Sequence, residues 1–223
     1  MIDTSPTERR LVMLGMFARH YVEQVTGSGY PAAADNIAAL LTRYEKQTLF
    51  RLAKRLPAGS NIVEIGSFKG GSTYCFGAAT QQSGAQIHCI DTFMTENVAG
   101  SEGTDTYPIF EQNTAPFADR IHIIRGFSQD VVDQITFAID LLFIDGDHAY
   151  EGVSRDLRLY LPHLRPGGTL IMHDSAYPPV RRAIDEQVLP IEEQRLARLP
   201  NLYAGRIETG SNPVSSTQIA QIP

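Results

Sequence analysis

The chain has 223 residues, 43% of them hydrophobic and 20% charged, with a formal net charge of −6 at neutral pH. That length holds one large domain, or one domain with a small appendage, and the composition is that of a soluble globule. The acidic balance argues against a broad nucleic-acid-binding surface, no apolar run is long enough to cross a bilayer, and Cys75 and Cys89 lack paired spacing, so they read as buried thiols rather than a disulfide framework or zinc site.

The first residues, Met1-Ile2-Asp3-Thr4, lack the basic-then-apolar pattern of a signal peptide, which makes a cytoplasmic protein the expectation. Residues 7–26 read as a helix, with Leu11, Leu14, Phe17, Ala18 and Tyr21 at three- and four-residue steps. Thr26-Gly27-Ser28-Gly29-Tyr30-Pro31 breaks it. Further helices are expected over 32–43 and 45–55, ending before Pro57-Ala58-Gly59. Residues 1–44 thus form an N-terminal helical extension that roofs a pocket or serves a homodimer contact. A domain follows over 45–210, and 211–223 is a loosely held polar tail.

Asn61 to Ile65 is a buried strand rich in β-branched residues. The turn after it carries Gly66, Gly70 and Gly71, and a helix runs from Ser72 to Thr80. Strand, glycine turn and helix open a doubly wound α/β domain. A phosphate loop would need Lys after Gly71, where Ser72 stands; a dinucleotide fingerprint would need Gly at Phe68. What remains is Glu64 beside a glycine loop, a carboxylate suited to an ammonium or sulfonium ligand. The second strand, Gln86 to Asp91, ends on an acid 20 residues beyond Gly71, the spacing at which a carboxylate reaches a pair of ribose hydroxyls. His88 is expected to pack under a helix.

Residues 93–107, polar and containing Gly100 and Gly103, form a candidate lid. A helix over 109–117 and a strand over 121–125 lead to Gly126-Phe127-Ser128, where Phe127 is expected in the core and Ser128 beside a base edge. The fourth strand, 139–144, is almost wholly apolar and ends in Asp145-Gly146-Asp147-His148. After a helix over 151–161 and the turn Arg165-Pro166-Gly167-Gly168, a fifth strand over 169–172 ends in His173-Asp174. A helix over 180–187 and short strands over 194–199 and 202–207 complete the chain.

Five strand ends therefore gather Glu64, Asp91, Ser128, Asp145 and His173-Asp174 at the carboxyl edge, where open α/β sheets bind ligands. Few basic groups lie nearby, which favours a cationic ligand carrying a ribose. Asp145, His173 and Asp174 are the best trio for a divalent cation such as Mg²⁺; alternatively His148 or His173 is a general base. Asp147 is expected to cap the next helix.

The strings VEIGSFKGGST, IDTF, LLFIDGDHAYEGVSRDL and LRPGGTLIMHDS resemble the class I S-adenosylmethionine-dependent methyltransferases, and more closely the small-molecule O-methyltransferases of bacterial natural-product and saccharide pathways. The resemblance covers roughly 45–190. It implies a Rossmann-like, seven-stranded, mostly parallel sheet with a reversed last strand. It also implies that Glu64, Gly66, Ser67 and Ser72 meet the methionine part of S-adenosylmethionine, that Asp91 and Thr92 lie at the ribose, Ser128 by the adenine, and Asp145 beside the transferred methyl. In related cation-dependent catechol and caffeoyl-CoA enzymes the acid at Asp145 also ligates the metal, a lysine base stands where this chain has His148, and an Asp-Asn pair stands where it has His173-Asp174. The expected activity is methyl transfer to a hydroxyl of a small phenolic, sugar or natural-product acceptor, with His148 and Asp145 catalytic, and with no nucleic-acid or membrane partner. A nicotinamide-dependent oxidoreductase and a non-catalytic cofactor-binding module are the alternatives.

Overall fold

The computed structural model describes residues 29–95 and 103–208. The helix expected over 7–26, residues 96–102 of the expected lid and the 211–223 tail lie outside the described residues. Seven strands form one sheet in the order β3-β2-β1-β4-β5-β7-β6. They are β1 (Asn61–Ile65), β2 (Gln86–Asp91), β3 (Ile121–Arg125), β4 (Ile139–Ile144), β5 (Leu164–His173), β6 (Glu192–Leu199) and β7 (Leu202–Ile207). The first five pair in parallel, and β7 runs antiparallel to both β5 and β6. The expected reversed last strand is present.

The central strands are buried on both faces, so apolar side chains alternate between two cores. Val63, Ile65, Leu142 and Ile144 enter one cluster with Val153, Leu157 and Tyr160 of α5 (Tyr150–Tyr160). Ile62, Leu141 and Phe143 enter the other with Leu49, Phe50, Cys75 and Phe76, from α1 (Arg43–Ala53) and α2 (Gly71–Ala79). This two-sided burial is why β4 reads as a continuous apolar run rather than an alternation. Both cysteines are free and buried, as their spacing implies.

Three elements differ from the sequence reading. The helix expected over 32–43 is only a 3₁₀ turn, Ala32–Asn36. Thr42 and Glu45 form a reciprocal capping box that starts α1, with the Thr42 amide donating to Glu45 Oε2 at 2.7 Å; the Thr-x-x-Glu spacing carried that signal. Residues 37–41 are left irregular, held where Lys46 Nζ donates to the carbonyls of Ala34 and Ile37 at 2.9 and 2.8 Å. Strand β5 begins five residues early because Arg165–Gly168 bulge between the pairs Ile139–Leu164 and Leu141–Thr169. The helix after β5 spans Pro178–Ala183 (α6) and widens into a π-helical turn over Ile184–Val188. Helices α3 (Tyr107–Thr114) and α4 (Ser128–Val131) complete the set.

The sheet order reverses between β1 and β4, and there the two strand exits nearly touch. The Asp145 amide donates to the Ile65 carbonyl at 2.8 Å. Gly66 has φ +86°, and a Cβ on it would lie 2.1 Å from the Asp145 carbonyl oxygen. Gly66→Ala therefore meets both a strained dihedral and a backbone clash. The expected loss is about 3 kcal/mol or more, seen as a fall in Tm of roughly 6 °C or more in thermal denaturation.

Candidate active site

A cavity of about 670 Å³ opens at this switch point, lined from Ala39–Leu41, the β1 exit, the β2 and β3 exits, and the Asp145–His148 loop. A smaller cavity of about 330 Å³ beside β7 and Arg181 holds none of the expected site residues. The larger one takes in Gly66, Ser67, Ser72, Asp91, Thr92, Ser128, Asp145 and His148. Acidic groups dominate: Asp91, Asp145, Asp147 and Asp156 line it, against a single arginine, Arg155.

Asp91 organises the floor. Its Oδ2 accepts from the amides of Ser67 and Phe68, each at 2.7 Å, and its Oδ1 from the amide of Phe93 at 2.6 Å. Phe68 and Phe93 both have positive φ, 48° and 58°, a region disfavoured for bulky side chains. The carboxylate thus fixes two strained turns from two different strands. An ionised carboxylate offers about four lone-pair positions, so three are taken and about one faces the cavity.

Glu64 does not line the cavity. It is fully buried behind the glycine loop, where Oε2 accepts from Ser67 Oγ at 2.8 Å, Thr73 Oγ1 at 2.5 Å and Cys89 Sγ at 3.4 Å. Its Oε1 has no partner. Desolvation pushes its carboxyl up to about 7, against the pull of the surrounding hydroxyls. The expected contact with a ligand's methionine part becomes indirect, through Ser67, which faces both Glu64 and the cavity.

At the β3 exit, Ser128 lines the cavity but donates its hydroxyl to Asp156 Oδ1 at 2.5 Å, which leaves only its lone pairs for a ligand. Burial raises Asp156 to about 6. Phe127, expected in the core, is 55% exposed at the cavity rim; its neighbours Gly126 and Ser128 take the inward positions. His88 packs on Phe137, with ring centroids 4.2 Å apart, and stacks on His122 across the β2–β3 pair at 4.8 Å, rather than under a helix. Asp147, expected to cap the next helix, instead bonds just ahead of it: its Oδ1 accepts from the amide of Ala149, the N-cap residue, at 2.8 Å, and α5 has no side-chain cap.

The β4 and β5 exits bring the remaining groups together. His173 is buried, with Nδ1 3.1 Å from Asp145 Oδ1 and 3.4 Å from Asp174 Oδ2, and Nε2 3.6 Å from Glu45 Oε1. Burial opposes its charge, but the hydrogen bond to Asp145 and the nearby carboxylates of Glu45 and Asp174 lift it to about 10, while Nε2 itself makes no hydrogen bond. Glu45, on α1, is a participant the sequence reading missed; its capping spacing with Thr42 was visible, its contact with β5 was not. His148 is half exposed, with Nε2 2.8 Å from Asp174 Oδ2 in an ion-pair contact without hydrogen-bond alignment, and 3.9 Å from Asp145 Oδ1. Interaction with Asp145, then the charge of Asp174, hold its ring above the ordinary imidazole range against the effect of burial. Asp174 sits at φ 50°, a conformation aspartate tolerates better than most residues.

Of the expected cation trio Asp145, His173 and Asp174, the ring of His173 turns Nδ1 to Asp145 Oδ1 and Nε2 toward Glu45. Oxygens of Asp145 and Asp174 and a nitrogen of His148 do lie within 4.8 Å of one another. In that grouping Asp145 Oδ1 is already the partner of His173, and Asp174 Oδ2 the partner of His148.

Comparison with known proteins gives one answer. The sequence model of a family described as a methyltransferase domain matches residues 63–175, just over half the chain. An O-methyltransferase of Aspergillus hancockii is 32% identical over 131 residues, 57% of this chain and 46% of that protein. The chain spans half or less of the length of the first curated relatives it matches. Among solved structures, the O-methyltransferase TomG from Streptomyces achromogenes, in complex with SAM, superposes with a TM-score of 0.63 at 15% identity, covering 85% of this chain and 95% of that one. The SAH-bound methyltransferase PaMTH1 from Podospora anserina does so at 0.62 and 15%, covering 94% and 99%. At these identities the structures speak to the fold alone. No helix among the described residues is long and apolar enough to cross a membrane.

The Glu64 environment gives a pH test. Its folded-state value near 7 lies above the ordinary 4.5, so the stability it contributes is full below about pH 4.5 and is lost as pH rises through 7. Glu64→Gln removes that ionisation. Its unfolding free energy from denaturant titration is expected to gain on the native protein between pH 5 and 8, by up to about 3 kcal/mol. A difference that does not change with pH would contradict the assignment.

Proposed function

The chain belongs to the class I S-adenosylmethionine-dependent methyltransferases, and from that premise we propose that it methylates a hydroxyl oxygen of a small metabolite, with His148 as the general base. The observation that carries this reading is the half-exposed His148 ring at the cavity wall, with Nε2 turned to Asp174 and Asp145. A neutral ring in that setting keeps its proton on Nε2, facing the carboxylates, and leaves Nδ1 bare toward an acceptor. The O-methyltransferase names of the Aspergillus relative and the Streptomyces neighbour agree with oxygen as the acceptor atom.

S-adenosylmethionine supplies a methyl group already activated on a positive sulfur. The acidic lining suits that charge and the ammonium of the same ligand. The remaining lone-pair position of Asp91 suits one ribose hydroxyl rather than two, Thr92 lies beside it, and the free lone pairs of Ser128 suit the amino group of a base. Asp145 lies where it attracts a sulfonium and steadies the imidazolium formed when His148 takes a proton.

The base is needed because the acceptor is a weak nucleophile while protonated. A phenol with pKa near 10 is about one part in a thousand ionised at pH 7, so reaching the anion costs about 4 kcal/mol. When bound, S-adenosylmethionine would supply the methyl carbon and a neutral sulfide leaving group, and His148 Nδ1 would take the proton the acceptor hydroxyl gives up. Such base assistance contributes about 10²–10⁴-fold. A sugar hydroxyl, being less acidic, depends on it more. The mouth carries Leu40, Met94 and Phe127, apolar and at least a third exposed, which favours an acceptor with an apolar or aromatic body.

The first test is a calorimetric titration with S-adenosylhomocysteine, expected to give micromolar binding; its absence would remove the cofactor assignment. With a phenolic acceptor, His148→Ala is expected to lower kcat by at least about 100-fold with S-adenosylhomocysteine affinity retained. Because the working form of His148 is neutral and its ring is held above the ordinary range, kcat/KM should rise with pH through an apparent pKa above 6.5. An unchanged kcat in the variant would take His148 out of the reaction.

A further inference from the structure

We propose that Asp156 is a positioning residue that sets the polarity of the Ser128 hydroxyl and so makes the site choose a purine bearing an amino group, adenine, over its oxo counterpart, hypoxanthine. This rests on the cofactor part of the methyl-transfer reading and deepens it, by naming the residue that selects the base.

Ser128 opens α4 at the β3 exit and lines the cavity. The Gly126 amide donates to the Asp91 carbonyl at 3.0 Å, so this exit lies beside the acid suited to a ribose. A base joined to that ribose comes within reach of the Gly126–Gln129 turn, which lines the same cavity.

Two residues of α5, about one helical turn apart, hold Ser128 from behind. Asp156 Oδ1 accepts from its hydroxyl at 2.5 Å, and the Tyr160 hydroxyl donates to its carbonyl at 2.8 Å. Both are buried, and Tyr160 is packed into the core cluster beneath the sheet exits, so neither swings away without repacking that core. The Asp156 side chain makes no other hydrogen bond among the described residues. A buried acid is costly unless partnered, and here its partner is a cavity-lining hydroxyl.

The direction of that hydrogen bond decides what Ser128 offers a ligand. An ionised carboxylate only accepts, whereas a serine hydroxyl has one proton and two lone pairs. With its proton on Asp156, Ser128 presents lone pairs alone to the cavity. Adenine carries a donating amino group beside an accepting ring nitrogen. Hypoxanthine carries an accepting oxygen beside a donating ring N–H. A hydroxyl restricted to accepting pairs with the amino group of the first and sets lone pair against lone pair at the oxygen of the second. A hydroxyl free to rotate would serve both. The selectivity therefore comes from Asp156 acting through Ser128.

Calorimetric titration of the full chain with S-adenosylhomocysteine and with its deaminated analogue, S-inosylhomocysteine, tests this. It is run at pH 8, well above the value of about 6 to which burial raises Asp156. The native protein is expected to bind the adenine ligand about 10- to 100-fold more tightly, the range for leaving a buried polar group unpaired. Asp156→Asn turns an N–H to the Ser128 oxygen and releases the hydroxyl proton to the cavity. The ratio of the two Kd values is then expected to shrink by at least about fivefold, with the hypoxanthine ligand bound more tightly than by the native chain. Equal weakening of both ligands, which a merely structural role would give, overturns the proposal. Ser128→Ala removes the hydroxyl and is expected to shrink the ratio likewise; it decides the matter if Asp156→Asn does not fold, and an unchanged ratio there is also contrary. Equal affinity of the native protein for both ligands sinks the selectivity alone, whereas binding of neither sinks it together with the cofactor assignment.

Discussion

The site depends first on one carboxylate holding three backbone amides. Asp91 ends β2, yet its bonds run to Ser67 and Phe68 beyond β1 and to Phe93 in its own exit turn. Hydrogen bonds to a charged acceptor contribute roughly 1.5–3 kcal/mol each, enough to hold Phe68 and Phe93 in backbone conformations they would not adopt alone. Those turns in turn set Ser67 and Ser72 at the cavity wall and bring Phe93 into the core beside Phe110. The acid that suits a ribose hydroxyl is therefore also the clamp that gives the cavity its floor.

Charge around the site is sorted by depth. Glu64 lies deepest, ringed by hydroxyls, its carboxyl raised by burial to about 7. His173 lies in the wall between the carboxylates of Glu45 and Asp145. Asp145, Asp147 and the half-exposed His148 face the opening, and Asp156 lies buried behind Ser128. The acidic lining suits a cationic ligand. Burial alone would neutralise each of these groups; specific partners decide which keep their charge.

Much of the fold was legible because local and long-range signals agreed. β1, β2, β3, β4 and β7 fall where apolar runs and turn residues put them, and the Gly66–Gly71 turn fixed the start of α2. The failures share a cause. The 32–43 segment has helical composition, but only Ala32–Asn36 coil, as a 3₁₀ turn, and the Thr42–Glu45 capping box makes Thr42 extended and starts the next helix at Arg43. β5 extends through Arg165-Pro166-Gly167-Gly168, a string that reads as a turn, because β4 and β7 offer partners to its ends. Phe127 was assigned to the core from hydrophobicity alone, and the tight exit from β3 turns it outward instead.

The sequence by itself determined the layered α/β architecture, the acids at the strand ends and the family, because strand periodicity, glycine turns and the FIDGDHAYEG and LRPGG strings are local patterns. Only the tertiary structure decided what each acid does. Glu64 faces a ring of hydroxyls rather than the cavity, Asp91 spends most of its acceptor capacity on amides, Ser128 gives its proton to Asp156, and His173 meets a glutamate more than a hundred residues away in the chain. Ionisation, hydrogen-bond capacity and metal-binding competence are properties of a side chain's neighbours, and those neighbours come from strands and helices distant in sequence that meet only when the sheet closes.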